Sequence, residues 1–346
     1  MKQTSEVILR NRERLGSGPV LLLNPERDSL AFELRNQAAE IRASSQDFAV
    51  FRWLESGAMP CSFEAIPSIR GDEETLILTL PREKARLSMM LAACASSIGE
   101  NTRLWLVGEN RSGIKSSPRL LREYFGDVEK LDSARHCALF EARRPRNAGP
   151  FDLQSWLTPW KLDCAGESID VLSLPGVFAH GRLDRGTELL LEAVAELKPE
   201  GRILDFACGS GIVGLCLKAG GFRGDLTMLD VSALALESTR SSLHENGVSA
   251  TVLASDGLSE VSGQYDWIIS NPPFHQGVSN DLEVSRNFFR SAGTFLGENG
   301  RILIVFNRHL PYARWLDEVF ERVDRLAARS DYSVVCASVP TKYRAI

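Results

Sequence analysis

Arg202-Ile203-Leu204-Asp205-Phe206 runs straight into Ala207-Cys208-Gly209-Ser210-Gly211, a short apolar strand ending on a loop with alternate glycines. Glycine there permits positive φ and close approach of the backbone to a ligand, where a strand gives way to a helix. The next predicted strand is Leu226–Asp230, followed by a helix over Ala233–Asn246. Strands over Ala250–Ser255 and Tyr265–Ser270 come next, then a helix over Leu282–Leu296. Gly297-Glu298-Asn299-Gly300 reads as a turn into a strand over Arg301–Phe306. A helix near Ala313–Phe320 precedes two closing strands, Arg322–Ala328 and Tyr332–Val339, close enough to form a hairpin. Short apolar strands alternating with helical stretches predict an open α/β sheet, mostly parallel.

Acidic residues mark the ends of three successive strands: Asp205, Asp230 and Asp256. A carboxylate closing the second strand can accept from both hydroxyls of a ribose, and Asp256 is placed to meet an adenine amine. That spacing suits S-adenosylmethionine. A dinucleotide remains a rival on this motif alone, because Gly209, Gly211 and Gly214 complete Gly-x-Gly-x-x-Gly. For Asp230, two residues before Ser232, a helix cap is the ordinary alternative.

Asn271-Pro272-Pro273-Phe274 follows the fourth strand, at the carboxyl edge of the predicted sheet. An exocyclic amine is a poor nucleophile, since its lone pair is delocalised into the ring. The side-chain oxygen of Asn271 and the carbonyl of Pro272 can each accept one of its N–H bonds, which turns the lone pair toward an incoming methyl group. The prolines fix φ and hold both acceptors still. Phe274 offers a face on which a splayed-out base can stack. His275 stands beside the loop as a substrate-contact or base candidate, although this chemistry needs no strong base. An Asp at position 271 would still supply an acceptor. The motif type serves guanine N2, adenine N6 and glutamine amides alike, and the residues do not choose among them.

The first half echoes the second. Phe125-Gly126-Asp127-Val128-Glu129-Lys130-Leu131 matches Phe320-Glu321-Arg322-Val323-Asp324-Arg325-Leu326 in spacing. Gly99-Glu100-Asn101 before Leu104–Val107 parallels Gly297-Glu298-Asn299 before Ile302–Val305, and Thr75–Leu80 then Pro81 parallels Trp267–Ser270 then Asn271-Pro272. This is the signature of a duplicated fold. The first copy lacks the chemistry: Asn24-Pro25-Glu26 replaces the glycine loop, and Leu80-Pro81-Arg82-Glu83 replaces the Asn-Pro-Pro-Phe segment. We therefore expect two tandem class I methyltransferase-like domains of Rossmann type, the first degenerate and the second catalytic. Their expected bounds are 1–142 and 153–346, joined by a Pro- and Arg-rich linker over 143–152. The first copy is expected to bind no cofactor and to support folding or RNA docking.

Bulk composition narrows the class. Apolar residues make up 44% and charged residues 25% of the 346, an ordinary globular mixture. No apolar run reaches the roughly 20 residues of a membrane span, and Met1-Lys2-Gln3-Thr4-Ser5-Glu6 has no apolar h-region. Seven cysteines with no CxxC spacing argue against a disulfide framework or a zinc site, so we expect a cytoplasmic protein without metal. A net charge of −5 argues against indiscriminate coating of nucleic acid. It divides as +2 over residues 1–150 (22 basic, 20 acidic) and −7 over the remainder (18 and 25). Attraction to phosphate would come more from the first half.

With these residues in view, the chain resembles the bacterial ribosomal RNA small subunit methyltransferase C family over nearly its whole length. The resemblance is carried by Val107-Gly108-Glu109-Asn110-Arg111-Ser112-Gly113, Leu174-Pro175-Gly176-Val177-Phe178 and Asn271-Pro272-Pro273-Phe274-His275. Phe206-Ala207 departs from the family's usual small aliphatic residue and glycine before Cys208, leaving Gly209 and Gly211 intact. The resemblance implies methylation of guanosine N2 in 16S rRNA of the 30S subunit; separately, we expect a monomer. It also implies that Leu183-Asp184-Arg185-Gly186-Thr187 lines the methionine end of the cofactor, making Asp184 and Thr187 binding residues beside Cys208.

Overall fold

The computed structural model describes every residue except 36, 37, 39, 147, 148, 273–278 and 341–346. The chain divides into two compact units, Met1–Leu157 and Thr158–Ile346. In the first, β1 (Val20–Leu23), β2 (Ile41–Ser45), β3 (Cys61–Phe63), β4 (Thr75–Thr79), β5 (Arg103–Glu109), β6 (Phe125–Ala134) and β7 (Cys137–Pro145) form one sheet in the order β3-β2-β1-β4-β5-β7-β6. Helices α1 (Gln3–Arg10), α2 (Leu30–Leu34), α3 (Phe48–Ser56), α4 (Lys84–Ser97) and α5 (Ser117–Tyr124) cover it. β1 is apolar throughout because both its faces are buried, as a covered parallel strand requires. Leu21 and Leu23 join one cluster with residues of α4 and α5, while Val20 and Leu22 join another with residues of α1, α2 and α3.

The second unit opens with a hairpin, β8 (Thr158–Cys164) and β9 (Glu167–Ser173), and then α6 (Arg185–Leu197). β10 (Ile203–Phe206), α7 (Ile212–Ala219), β11 (Leu226–Asp230), α8 (Ala233–Glu245), β12 (Thr251–Ala254) and β13 (Tyr265–Ser270) follow. α9 (Ser279–Ala292), β14 (Leu296–Asn307), α10 (Tyr312–Asp317), β15 (Phe320–Ala328) and β16 (Tyr332–Pro340) complete it. The sheet order is β12-β11-β10-β13-β14-β16-β15, which repeats the first unit strand for strand. Even an irregularity is shared: register slips between Lys130 and Asp132 of β6, and between Arg325 and Ala327 at the equivalent place in β15. Two unrelated sheets would not share that slip, so the structure carries the duplication that the sequence suggested.

Some expected boundaries move. β14 starts at Leu296, so residues 297–300 are a wide bulge inside a strand rather than a turn before one. Its pairing with β13 steps from Tyr265↔Leu296 to Trp267↔Arg301. α9 ends at Ala292, short of the expected Leu296, which is buried in β14. α10 stops at Asp317, because Phe320 is buried as the first residue of β15. β7 runs through Pro145, which pairs with Phe125, so Arg143-Arg144-Pro145 belong to the sheet and not to a linker. Proline is tolerated there because it ends the strand.

Hairpin β8–β9 was not legible in advance. Its outer strand is sealed by the polar side of α8: Ser238 and Ser242 hydroxyls accept from the Leu174 and Leu172 amides at 3.0 and 2.9 Å. Asn246 then accepts from the Asp170 amide at 3.0 Å and donates to its carbonyl at 2.6 Å. Residues four apart on one helix face thus satisfy a strand edge that would otherwise hold unpaired backbone groups. Among the described residues, no helix is long and apolar enough to cross a membrane.

Candidate active site

The carboxyl edge of the second sheet gathers Gly209, Gly211, Asp230, Asp256 and Asn271 among the described residues singled out by sequence. The loop after β10 takes positive φ at Ala207 (60°), Gly209 (58°) and Gly211 (84°). The Cys208 amide donates to the Leu229 carbonyl at 2.9 Å, and Thr239 Oγ1 of α8 donates to the Gly209 carbonyl at 2.9 Å. Cys208 is buried beside Thr239, and desolvation pushes its thiol well above the ordinary range, which makes it a packing residue rather than a nucleophile. The glycines have different jobs. A Cβ at Gly209 would meet nothing within 4 Å, so the ledge above it is open. A Cβ at Gly214 would stand 2.6 Å from Met228 Cε, so glycine there lets α7 lie close on β11.

Asp230, at the end of β11, accepts from the Gly209 amide through Oδ2 at 3.0 Å and from the Ser232 amide through Oδ1 at 2.9 Å. It ties the glycine loop to the start of α8, whose N-cap is Ser232. Asp256 lies exposed just past β12. Asp230 and Asp256 thus stand at the ends of adjacent strands, beside the open ledge. The chemistry of that edge suits an adenosine group, with open space for its bulk and carboxylates able to accept from hydroxyl and amine.

Asp205 is different. It is 1% exposed, and its Oδ2 accepts from the Gly214 amide at 3.2 Å. Burial raises its pKa to about 7, against the Gly214 bond that lowers it, with Asp230 adding to the rise. The native state therefore keeps a proton that the unfolded chain, with an ordinary aspartate pKa near 3.8, releases. The stability contributed by that proton is full below the unfolded value and is lost as pH rises toward 7. Asp205→Asn is expected to flatten this part of the stability–pH curve, measured by urea unfolding without cofactor from about pH 4 to about pH 8. An unchanged slope would contradict the assignment.

Asn271 closes the site. Its Nδ2 donates to Thr187 Oγ1 at 2.8 Å and to Asp184 Oδ2 at 3.3 Å. Asp184 is the N-cap of α6, where the same Oδ2 accepts from the Gly186 and Thr187 amides at 2.8 and 3.2 Å. These acceptors fix which way the carboxamide faces, since a flipped amide would set its oxygen against a carboxylate. Oδ1 is left as an acceptor that no donor among the described residues reaches. Pro272 follows, buried. Pro273, Phe274 and His275 lie outside the described residues.

The second unit matches the methyltransferase small domain family over residues 168–336, and the first matches the methyltransferase small domain N-terminal family over residues 5–160. Over 97% of its length the chain is 36% identical to the ribosomal RNA small subunit methyltransferase C of Pseudoalteromonas atlantica, covering 99% of that protein. This chain belongs to the ribosomal RNA small subunit methyltransferase C family. The member from Shewanella halifaxensis is 35% identical over 96% of this chain and 98% of its own. A T. thermophilus 16S rRNA N2 methyltransferase, solved in complex with AdoMet and guanosine, shares the fold with a TM-score of 0.87. That likeness covers 98% of this chain and 92% of the other at 24% identity. Membership in a methyltransferase family removes the dinucleotide reading of Gly209, Gly211 and Gly214.

In this family member the first domain is degenerate for a visible reason. At the carboxyl edge of β1 and β2, Asn24 Nδ2 donates to Gln46 Oε1 at 3.0 Å, and the Gln46 amide donates to Asn24 Oδ1 at 2.8 Å. Arg86 Nε of α4 donates to the same Gln46 Oε1 at 2.8 Å. Side chains occupy the edge where the second domain has an open glycine ledge. Thr239, which braces that ledge, was missed by sequence reasoning: a threonine inside a helix gives no signal until the helix is known to bury it.

Proposed function

We propose that this chain transfers the methyl group of S-adenosylmethionine to the exocyclic N2 amine of a guanosine in 16S rRNA, in the context of the 30S subunit. The catalytic site is the carboxyl edge of the second unit. The observation that carries this reading is the Asn271 carboxamide, locked through its nitrogen by Thr187 and Asp184, with its oxygen left as an acceptor at the end of the strand next to β10. Guanine N2 rather than another amine follows from the family and from the fold relative solved with guanosine.

The cofactor supplies a methyl group activated by a sulfonium. The protein binds and orients. Asp230 accepts from the ribose hydroxyls and Asp256 from the adenine amine, while Gly209 and Gly211 let the backbone come close. Asp184 Oδ1, with no donor among the described residues, suits the cofactor's ammonium group. Asn271 Oδ1 and the Pro272 carbonyl accept the two N–H bonds of the target amine and free its lone pair, and the proton leaves to water after transfer. Pro273 stiffens the loop and Phe274 stacks on the base. The first unit binds no cofactor and serves folding or RNA docking, in a cytoplasmic monomer that needs no metal.

Calorimetry on the full chain is expected to give one S-adenosylmethionine bound per chain, not two. Labelled cofactor is expected to mark 30S subunits or 16S rRNA, and neither DNA nor protein. Absence of cofactor binding, or label confined to protein, would sink the proposal.

A further inference from the structure

The strand order divides the carboxyl edge of the second unit into two halves. β10, β11 and β12 lie on one side and lead to Gly209, Asp230 and Asp256. β13 leads to Asn271, and β14 and β16 lie beyond it. A cofactor held by the first half leaves the acceptor to the second.

Tyr332 stands in that second half. It opens β16 opposite Asn307, the last residue of β14, so it lies at the same edge as Asn271. Its ring packs on the first turn of α6. A Cβ at Gly186 would lie 3.0 Å from Tyr332 Cε1 and 3.1 Å from Cδ1, so glycine at that position admits the ring. The same Cβ would lie 2.9 Å from Asp184 Oδ2, the atom that accepts from Asn271 Nδ2. Tyr332 and Asn271 are thus both neighbours of one carboxylate.

The strand start that carries the ring is tied down. Arg329, at the turn before β16, donates through its amide to the Tyr332 carbonyl at 2.9 Å. Its guanidinium pairs with Glu188 at 2.8 Å and with Glu192, one turn further along α6. This clamp fixes the hairpin turn to the helix that positions Asn271. The ring itself is only half-buried, and its hydroxyl has no hydrogen-bond partner among the described residues. A half-buried aromatic ring on a turn tied to α6 by two ion pairs, and needing no bond from its own hydroxyl, is suited to hold a flat ligand.

We propose that Tyr332 is an acceptor-binding residue whose ring forms the far wall of the base pocket and directs the target amine toward Asn271 Oδ1. The proposal rests on the nucleobase reading of the site given above. Contact between a base and an aromatic ring changes binding by roughly five- to a hundredfold.

The test compares Tyr332→Leu, which keeps apolar cover on Gly186, with Tyr332→Phe, which keeps the aromatic face. Steady-state methylation of 30S subunits is measured beside calorimetric S-adenosylmethionine affinity. The Leu variant is expected to lose about tenfold in kcat/KM, mainly through KM, with cofactor affinity within about twofold of wild type. The Phe variant is expected to stay within about threefold, because the face and not the hydroxyl acts. A Leu variant with wild-type kcat/KM overturns the proposal, and so does a loss matched by weaker cofactor binding. If the wild-type enzyme methylates adenine instead, the proposed function falls while the contrast between Leu and Phe still decides the role of Tyr332.

Discussion

Asn271→Ala is expected to slow methyl transfer by about a hundredfold or more while leaving S-adenosylmethionine affinity nearly unchanged. Preorganised polar groups that act on the transition state contribute roughly 3–4 kcal/mol each, which sets that scale. The geometry explains why Asn271 qualifies. Its amide nitrogen is held by Thr187 Oγ1 and Asp184 Oδ2, so its oxygen is aimed before substrate arrives. The Pro272 carbonyl remains in the variant, and residual activity is expected. The structure also reverses the ranking that sequence suggests for Asn271→Asp. An Asp keeps an acceptor, but it loses both donor bonds and sets a second carboxylate against Asp184. Its activity should fall as far as that of the Ala variant. Single-turnover rates at saturating cofactor check both substitutions. Near-normal turnover in the Ala variant would remove the catalytic assignment, and lost cofactor binding would move Asn271 to the cofactor site.

Asp230→Ala is expected to weaken S-adenosylmethionine binding by about ten- to a hundredfold, since hydrogen bonds to a charged group are worth roughly 1.5–3 kcal/mol. Two losses combine. The ribose hydroxyls lose an acceptor, and the Gly209 amide loses the carboxylate that holds the loop in its open, positive-φ form. Helix α8 keeps its own cap in Ser232, so the fold should survive. Calorimetric affinity decides: an unchanged value in a folded variant would show that Asp230 only joins the loop to the helix.

Much of the fold was legible because continuous apolar runs mark buried parallel strands. Leu226–Asp230 and Tyr265–Ser270 emerge with the expected bounds. Hairpin β8–β9 stayed hidden because its strands are half-exposed and its edge is closed by Ser238, Ser242 and Asn246, which look like surface residues until α8 is placed. The bulge at residues 297–300 misled because a Gly-rich tetrapeptide signals a turn, and only the pairing with β13 shows that the strand continues through it. For the site, glycines and strand-end acids were readable from spacing alone. The dual tie of Asn271 to Asp184 and Thr187, 87 and 84 residues away in sequence, was not. Nor was Tyr332, since an aromatic residue at a strand start reads as core until Gly186 is found beneath it.

The most direct measurement is nucleoside analysis of 16S rRNA recovered from unmethylated 30S subunits after incubation with the protein and labelled S-adenosylmethionine. The label is expected to appear as N2-methylguanosine at a single site and to be almost absent with the Asn271→Ala protein. Label recovered as N6-methyladenosine, or rRNA left unlabelled by a protein that binds the cofactor, would overturn the assignment.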